Sequence, residues 1–554
     1  MKNQFNSTLV KSFLLVFIFF TSQDKSIAQE QNAAKDQSYL SGSLQANGNF
    51  FMRDTLRGAA NTPQYDHQLF GAESWLGLNY NRWGFDMGIR FDLFNNSNLL
   101  NPLSSYSAQG IGRWFISKKV SKFDFMVGYI YDQIGSGIIY RAYEERPLSI
   151  DNALLGLRVG YQIAPNWKVK AFTGKQKQQF NLYDAVIKGC SVEGYIAAKE
   201  GGNWSLTPGV GVVNRTLDDG TMSQIVSEIR TYTPQDSIVP NYNAYAYTLY
   251  NLLNIGDFAW YIEGAYKTDD VIFDPNADKL NWNSTVSKGK LIKKPGTVLY
   301  TSLTYTHKSL GITLETKRTD HFTFRTDPRL TLIRGQINFL PPMSRANSYR
   351  LTARYVPATQ ELGEQAFQAD VRYKFNKKWA AAVNFSNITD LNSKQLYREI
   401  YSEVNFKPNK STKITGGLQY QVYDQEVYYQ KPGYPVLTAI TPYIDILYKF
   451  SAKNSIRTEF QYMSTKQDFG SWLFGLAEIG FAPNWIITIS DMYNVAPKKT
   501  DDLHYPTFGA SYSHSSNRFS LYYVKQVEGI VCTGGICRLE PAFSGVKMTV
   551  NSTF

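Results

Sequence analysis

Residues 85–93, FDMGIRFDL, alternate between two kinds of side chain. Every odd-numbered position of this stretch is apolar, whereas Asp86, Arg90 and Asp92 are charged. A repeat of two residues predicts a β-strand whose two faces meet different surroundings. Because a soluble sandwich and a membrane barrel both contain such strands, the rest of the chain must decide between them.

The same pattern recurs along the chain, in FQADVRYKF (367–375), ITGGLQYQV (414–422), SIRTEFQYM (455–463) and GVKMTVNSTF (545–554). Aromatic residues form 15% of the chain, yet only 43% of it is hydrophobic, as expected when alternate residues are polar. Such strands fit a wall with lipid outside and water inside. Since hydrocarbon cannot satisfy an open strand edge, the sheet must close. The sequence therefore predicts an all-β fold, a transmembrane antiparallel up-and-down β-barrel.

The connections between the predicted strands alternate between short and long, which predicts short periplasmic turns and long extracellular loops. The predicted short connections are 81–83, 119–122, 164–166, 200–202, 255–257, 307–309, 376–378, 407–411, 451–454, 482–484 and 515–517. The predicted long ones are 95–110, 133–152, 214–242, 268–295, 388–396, 424–435, 495–506 and 528–542.

The predicted strand count is about 26, with an extra strand at 330–340 (LTLIRGQINFL) needed to keep 376–378 periplasmic. Counts of 22 or 24 are the alternatives, because residues 186–199 and 243–253 alternate weakly.

The first 28 residues have the features of a cleaved secretory signal peptide: early lysines, an apolar run over 13–20 and small residues before Gln29. A retained membrane anchor is the alternative interpretation. Residues 29–38 are then a short periplasmic segment and residues 39–554 a single barrel, without room for a separate plug domain. The predicted location is the outer membrane of a Gram-negative cell.

A barrel of this size has a wide lumen, so inward loops, inward side chains or a partner protein should fill it. Two charged stretches are candidates for inward packing, residues 131–152 and 317–329. We expect either a constriction that selects solutes or ion-paired loops that only hold the barrel's shape. The predicted network comprises Arg141, Glu144, Glu145, Arg146, Asp151, Arg318, Asp320 and Arg325.

Of the three cysteines, Cys532 and Cys537 flank a Thr-Gly-Gly-Ile turn and are a candidate disulfide in an exported protein. One close pair without a nearby histidine falls short of a zinc site, and we predict no metal or other cofactor. The chain has no Walker-type loop and no G-x-S-x-G motif. We therefore predict no enzyme, with a hydrolase that uses His321 or His514 as the catalytic alternative.

Three segments carry a family resemblance: GSGIIYRAYEERPLSIDN (135–152), YVPATQELGEQAFQADVRYKF (355–375) and GGICRLEPAFSGVKMTVNSTF (534–554). They resemble DUF6029, a family of uncharacterised outer-membrane barrels of Bacteroidota. The resemblance implies location and architecture. It offers no activity and no functional residue to transfer.

The favoured function is a channel or transport pore with a lumen constricted by inward loops. The alternative is a non-catalytic barrel subunit or scaffold of a secretion, assembly or export complex. The net charge of +12 suits anionic lipid head groups or solutes, or merely reflects basic turns. Expected partners are outer-membrane lipid and lipopolysaccharide, the barrel-assembly machinery, and other outer-membrane or surface lipoprotein subunits. No nucleic acid is expected.

The terminal residue, Phe554, resembles the C-terminal signal that barrel-assembly machinery reads. Interfacial anchoring by its ring is the simpler interpretation. The strand that ends there should pair with a first strand near 40–52.

Overall fold

The computed structural model describes residues 38–199, 202–430, 432–496 and 503–554, with the side chains of 531–533 left aside. The predicted signal peptide, and the predicted periplasmic segment except Ser38, lie outside these ranges. Within them, no helix is long and apolar enough to cross a bilayer.

Twenty-four antiparallel strands form one closed barrel, in which each strand pairs with its neighbour in sequence. We number them in chain order: β1 Tyr39–Phe51, β2 Phe70–Arg82, β3 Phe85–Ser97, β4 Tyr106–Val120, β5 Phe123–Ile130, β6 Leu154–Ala164, β7 Trp167–Gln178, β8 Asn181–Gly194, β9 Trp204–Thr216, β10 Asn243–Ile255, β11 Phe258–Leu280, β12 Val286–His307, β13 Leu310–Asp320, β14 Gly363–Lys374, β15 Trp379–Thr389, β16 Gln395–Phe406, β17 Thr412–Asp424, β18 Val436–Lys449, β19 Asn454–Thr465, β20 Ser471–Phe481, β21 Trp485–Ala496, β22 His504–His514, β23 Asn517–Gln526 and β24 Phe543–Thr553. Shorter strands lie outside this wall: Ile196–Ala197 beside β9, and the hairpins Glu144–Asp151 and Gly529–Glu540.

The last strand closes the barrel, as predicted. It pairs with β23 on one edge and with β1 on the other, where Ser43 faces Thr553. Beyond the strand, Phe554 and Gly42 exchange two backbone hydrogen bonds of 2.7 and 3.0 Å. The architecture is thus that of an outer-membrane β-barrel, since closure leaves no strand edge of the ring without a neighbour.

The connections sort to the two ends of the barrel as expected. Each connection predicted to be short joins strands at the end that carries Tyr39 and Phe554, which is therefore the periplasmic end. Part of one of them, residues 200–201, lies outside the described ranges. The predicted long loops lie at the opposite end, together with one tight turn at 179–180.

The extra strand predicted at 330–340 is absent from the wall. Strand β13 pairs directly with β14, with Asp320 opposite Gly363, and residues 321–362 leave the wall between them. The stretch alternates because Ile337 and Phe339, two residues apart, are buried in the lumen, where apolar side chains pack as they would against lipid. The strand count is accordingly 24, one of the two predicted alternatives to about 26. Both weakly alternating stretches do form wall strands, β8 and β10.

Strand β14 shows how the two faces of the wall divide. Phe367, Val371 and Tyr373 are exposed on the outer face, whereas Glu364 and Gln368 are buried on the inner one. The apolar face predicted from the sequence is therefore the lipid-facing surface, and the polar face points into the barrel.

Strands β11 and β12, with 23 and 22 residues, are about twice as long as a bilayer requires. Their extracellular extension packs against helix α1, Asp219–Ile229, through a separate apolar cluster that includes Ile225 and Leu291. Asp218 caps this helix by accepting a hydrogen bond from the Thr221 amide at 2.9 Å. A second short helix, α2 (Gln425–Tyr429), follows β17.

Candidate functional site in the filled lumen

Three loops from the extracellular end fold inward, and we name them the first (131–153), second (321–362) and third (527–542) lumenal segments. The second segment bonds to wall strands that are far apart. The Gln176 amide of β7 donates to the Gln336 carbonyl at 2.6 Å, and the Gln461 side chain of β19 accepts from the Leu351 amide at 2.8 Å. A segment that reaches both β7 and β19 through inward-facing side chains lies inside the barrel.

The three segments are bonded to one another. The Arg141 amide donates to the Ile337 carbonyl and the Phe339 amide to the Gly137 carbonyl, both at 3.0 Å. The Thr359 amide donates to the carbonyl of Gly535 in the third segment at 2.9 Å. Because of these bonds, the three loops form one connected body within the lumen.

An apolar cluster joins this body to the wall. Its centre is fully buried and includes Ile138 and Ile139 of the first segment and Phe322, Phe324 and Ile337 of the second. The lumen at this level is therefore packed with protein.

A charged network fixes the first segment to the wall. Arg90 of β3 binds Asp92 at 2.6 Å, Glu144 at 2.7 Å and Asp151 at 3.0 Å. Asp151 also binds Lys177 of β7 and accepts a hydrogen bond from the Tyr131 hydroxyl at 2.7 Å. Charges from two wall strands thus hold one loop, and the loop's carboxylates neutralise them.

A buried carboxylate of the wall receives the glycine-rich turn of the first segment. Glu263 of β11 is fully buried and accepts bonds from the Ser136 amide at 2.9 Å and the Ser136 hydroxyl at 2.5 Å. Gly135 has a φ of +56°, and a Cβ there would lie 2.6 Å from a Glu263 carboxylate oxygen. The turn needs glycine at this position both for its left-handed backbone and for the close approach.

The second segment is fixed by buried ion pairs. Lys317 of β13 and Glu364 of β14 lie 2.7 Å apart with almost no exposure, and Lys317 also donates to the Pro341 carbonyl. On β9, Arg215 binds Asp270 at 2.6 Å and donates to the Arg325 carbonyl at 3.0 Å. The wall therefore holds the second segment at two separated points.

Four of the predicted charged residues form ion pairs in the lumen, three of them around Arg90 and the fourth within the second segment. Glu144 and Asp151 bind Arg90 as described, and Arg146 joins them by binding Glu144 at 3.0 Å and the Gln45 side chain at 2.6 Å. Arg325 binds Glu361 at 2.7 Å within the second segment.

The other predicted residues lie outside this network. The Arg141 guanidinium lies over the Phe339 ring, and Glu145 pairs with Ile150 through its backbone. Arg318 and Asp320 have the opposite parity to the buried Lys317 and Thr319 and so lie on the outer face. Asp320 pairs there with His321 at 2.5 Å. The prediction for Arg318 and Asp320 as lumenal groups is corrected accordingly.

Several network residues were not singled out from the sequence. Arg90 and Asp92 were recognised only as polar-face positions, and Lys177, Glu263, Lys317 and Glu364 were not recognised. Their signal is a charged side chain on the polar face of a strand, a pattern that recurs along the chain, for example at Asp370 and Arg372.

The inner face becomes more open toward the periplasm. Along β14 the inward side chains of Glu364, Asp370 and Arg372 are 1%, 22% and 71% exposed. A cavity of about 450 Å³ lies at the periplasmic mouth, lined by groups such as Ser41, Asn79 and Asp86. The lumen is therefore packed toward the extracellular side and forms an open vestibule toward the periplasm.

A disulfide-bonded cysteine lies in the third lumenal segment. Cys537 is disulfide-bonded, and the backbone of Cys532 is its register partner across the Gly529–Glu540 hairpin. In the described residues Cys190 is a free thiol, and no group of three or more metal-ligating side chains occurs.

The first segment should loosen in acid. Burial alone would raise the pKa of the Asp151 carboxyl, but Lys177 and Arg90 lower that pKa below its ordinary 3.8. A depressed pKa stabilises docking above the unfolded pKa, about 4, and the stabilisation is lost as pH falls through the folded pKa. Limited proteolysis with pepsin should therefore cut within 131–153 faster as pH falls below about 4. Asp151→Asn should weaken this dependence, and an unchanged dependence in that variant would contradict the assignment.

One protein-family model matches the chain over nearly its whole length. The model of DUF6029, described as a family of unknown function, matches residues 5–554. No curated protein matches the sequence of the chain.

Among solved structures, the P pilus usher PapC translocation pore is similar over 94% of this chain and 99% of its own, at 8% identity and a TM-score of 0.43. The siderophore receptor PirA from Pseudomonas aeruginosa is similar over 94% of this chain and 81% of its own, at 9% identity and a TM-score of 0.39. The ferric citrate transporter FecA is similar over 93% of this chain and 78% of its own, at 9% identity and a TM-score of 0.41. Likenesses this distant carry no conclusion about function.

Proposed function

The chain belongs to the DUF6029 family, whose function is unknown, and from the geometry of its barrel we propose that it is a gated transport pore of the outer membrane. In the resting state its own lumenal segments close the pore. Displacement of those segments, the second above all, opens a path between the vestibule and the cell exterior.

The polarity of the wall beneath the second segment carries this proposal. The inner face there presents the buried polar side chains of Gln419, Gln421 and Glu399 between buried aromatic ones such as Tyr397 and Tyr423. Gln419 donates to the Thr352 carbonyl at 3.0 Å and Gln421 to the Tyr355 carbonyl at 2.6 Å. If the segment withdraws, water can replace these bonds, so the exposed wall would already suit a hydrated pore.

The way the second segment enters and leaves the wall also supports gating. The His321 amide donates to the Leu362 carbonyl at 3.0 Å and the Phe322 amide to the Glu361 carbonyl at 2.9 Å. The segment is thus an insertion at the top of one hairpin, and it can move without breaking the β13–β14 ladder below it.

A scaffold is the second candidate, and the apolar cluster favours it. Phe322, Phe324 and Ile337 are fully buried, and withdrawing them would expose considerable apolar surface to water. A permanently closed barrel would then present its extracellular extension, with helix α1, to other subunits of an export or assembly complex.

The location and the general partners follow from the same proposal. The chain would be exported by its signal peptide, folded by barrel-assembly machinery that reads the strand ending at Phe554, and surrounded by lipopolysaccharide in the outer leaflet.

Planar-bilayer recording of the purified barrel tests the two candidates. A gated pore should give a low baseline with discrete openings that become more frequent when mild denaturant loosens the segments. A silent barrel under all of these conditions, recovered with stoichiometric partners in gentle detergent, would overturn the pore and favour the scaffold.

A further inference from the structure

Three side chains of the second lumenal segment, each two residues from the next, reach the inner wall of the barrel. The Asn347 amide donates to the Glu399 carboxylate at 2.8 Å, and the Tyr349 hydroxyl donates to the Asp445 carboxylate at 3.4 Å. The third side chain is the cation Arg345, and the wall around it is both aromatic and acidic.

Arg345 lies in a cage formed by Tyr401 and Glu403 of β16 and Tyr443 of β18, which we name the tyrosine cage. Its guanidinium carbon is 3.4 Å from the centroid of the Tyr401 ring, and its Nη2 is 3.8 Å from the Glu403 carboxylate. The same carboxylate accepts hydrogen bonds from the Tyr401 hydroxyl at 2.7 Å and the Tyr443 hydroxyl at 2.9 Å. Aromatic rings beside a carboxylate are surroundings that attract an organic cation.

A glycine allows the cage to form across an intervening strand. Gly417 of β17 is the register partner of both Glu403 on one side and Tyr443 on the other. A Cβ on Gly417 would collide with the Tyr443 hydroxyl, so the missing side chain lets Tyr443 reach across β17. The Tyr349 ring of the second segment packs on the Tyr443 ring, with 4.1 Å between the centroids. The cage is therefore built from wall strands and covered by the segment.

Arg345 uses this cage incompletely. Lys317, which also holds the second segment, reaches Glu364 at 2.7 Å, whereas Arg345 comes no closer to Glu403 than 3.8 Å. The Nη1 atom of Arg345 is buried and has no hydrogen-bond partner among the described residues. Because an unpaired buried donor is costly, the cage holds its own arginine less firmly than a better-fitted cation could be held.

The wall next to the cage carries more negative than positive charge. Arg457 of β19 binds Asp445 at 3.0 Å and Glu478 at 2.8 Å, and it also binds Glu459. Together with the cage, four carboxylates lie beside two guanidinium groups. Arg457 and Glu478 are half-buried, and Glu478 lies near the periplasmic end of β20, so a cation can approach from the vestibule.

We propose that the tyrosine cage is a binding site for a small solute that carries an alkylguanidinium or alkylammonium group, which takes the place of Arg345. A guanidinium is the closer match, because the planar group of Arg345 already stacks on the Tyr401 ring. The displaced Arg345 no longer holds the second segment at this point. That this displacement opens a pore rests on the proposed function; the binding itself does not.

Isothermal titration of the detergent-solubilised barrel with n-propylguanidinium, a copy of the arginine side chain, tests the site. Saturable binding is expected, and n-propylurea, its uncharged counterpart, should not bind. Arg345→Ala should bind n-propylguanidinium at least about tenfold more tightly, because a site that its own arginine fills most of the time loses apparent affinity. In the Arg345→Ala background, Glu403→Gln should weaken binding at least about tenfold, the loss of one charge-assisted contact.

Asp370→Asn, a matched loss of one inward carboxylate outside the cage, should leave the binding unchanged. Heat-modifiable migration in gels shows which variants are folded. If Arg345→Ala does not fold, the wild type still decides, because Glu403→Gln alone should weaken its binding. Equal affinities of the wild type and a folded Arg345→Ala, binding that Glu403→Gln leaves unchanged, or equal binding of n-propylurea would overturn the site. Because no current is measured, a barrel that binds n-propylguanidinium but never conducts would refute the pore alone.

Discussion

Replacing residues 323–360 by a four-residue glycine-serine linker should convert the closed barrel into a steadily conducting pore. The cut leaves the two backbone bonds that join His321 and Phe322 to Leu362 and Glu361, so a short turn can bridge the hairpin. Removal of the second lumenal segment exposes the polar wall, and an aqueous path is expected because even barrels of about 16–18 strands enclose a channel. Planar-bilayer current, normalised to the number of inserted barrels, is the measurement.

A matched control shortens an extracellular structure that lies outside the lumen. Replacing residues 275–289 removes the tip of the β11–β12 extension beyond the register pair Asp274 and Lys290. This tip bonds to the connection that follows α1, where Leu280 donates to Asp236 at 2.7 Å and Trp282 to the Thr231 carbonyl at 3.0 Å. That variant should keep the resting baseline of the wild type. If heat-modifiable migration in gels shows that the 323–360 variant is folded, and it still carries no current, the second segment does not close the pore.

The second large effect is expected from Lys317→Met. Glu364 would keep its charge in a buried position and retain one described hydrogen bond, from the Gln360 amide at 2.8 Å. Breaking a buried pair from one side costs about 3–5 kcal/mol. The loss of the bond to the Pro341 carbonyl should also loosen the second segment. Urea unfolding followed by tryptophan fluorescence should show a clearly lower midpoint.

Two further variants separate pairing from packing. Adding Glu364→Gln to Lys317→Met removes the stranded charge and should recover part of the stability. Arg372→Met removes a 71% exposed guanidinium from its pair with Asp370 on the same strand and should cost less than about 1 kcal/mol. Equal losses for Lys317→Met and Arg372→Met would show that the buried pair has no special role.

The barrel itself could be predicted from the sequence because each strand, taken alone, has an apolar face for lipid and a polar face for water. Residues 85–93 and 367–375 alternate whatever lies elsewhere in the chain, and their turns follow from the same local pattern. The closing contact of β24 with β1 was predictable for a related reason: a bilayer allows no free strand edge, so the ends of the sheet must meet.

The packing inside the lumen could be predicted from the sequence only in part. Residues 330–340 alternate like a wall strand, yet Ile337 is buried in a lumenal core. Apolar side chains give the same sequence pattern whether they meet lipid or one another, so the pattern cannot show which. Glycine and charge in 131–152 did indicate inward packing, but Arg90 and Lys177, which hold that loop, come from strands with no distinguishing motif.

Whether a charged residue joins the lumenal network depends on which face of its strand it occupies and on which residues lie near it in the folded chain. Arg318 and Lys317 are adjacent in sequence, and one faces outward while the other pairs with Glu364. The alternating pattern is enough to predict the wall, its orientation and its turns, because these depend on the local surroundings of each residue. Which segments close the lumen and which charges pair there can be seen only in the folded chain, because contacts between distant segments set both.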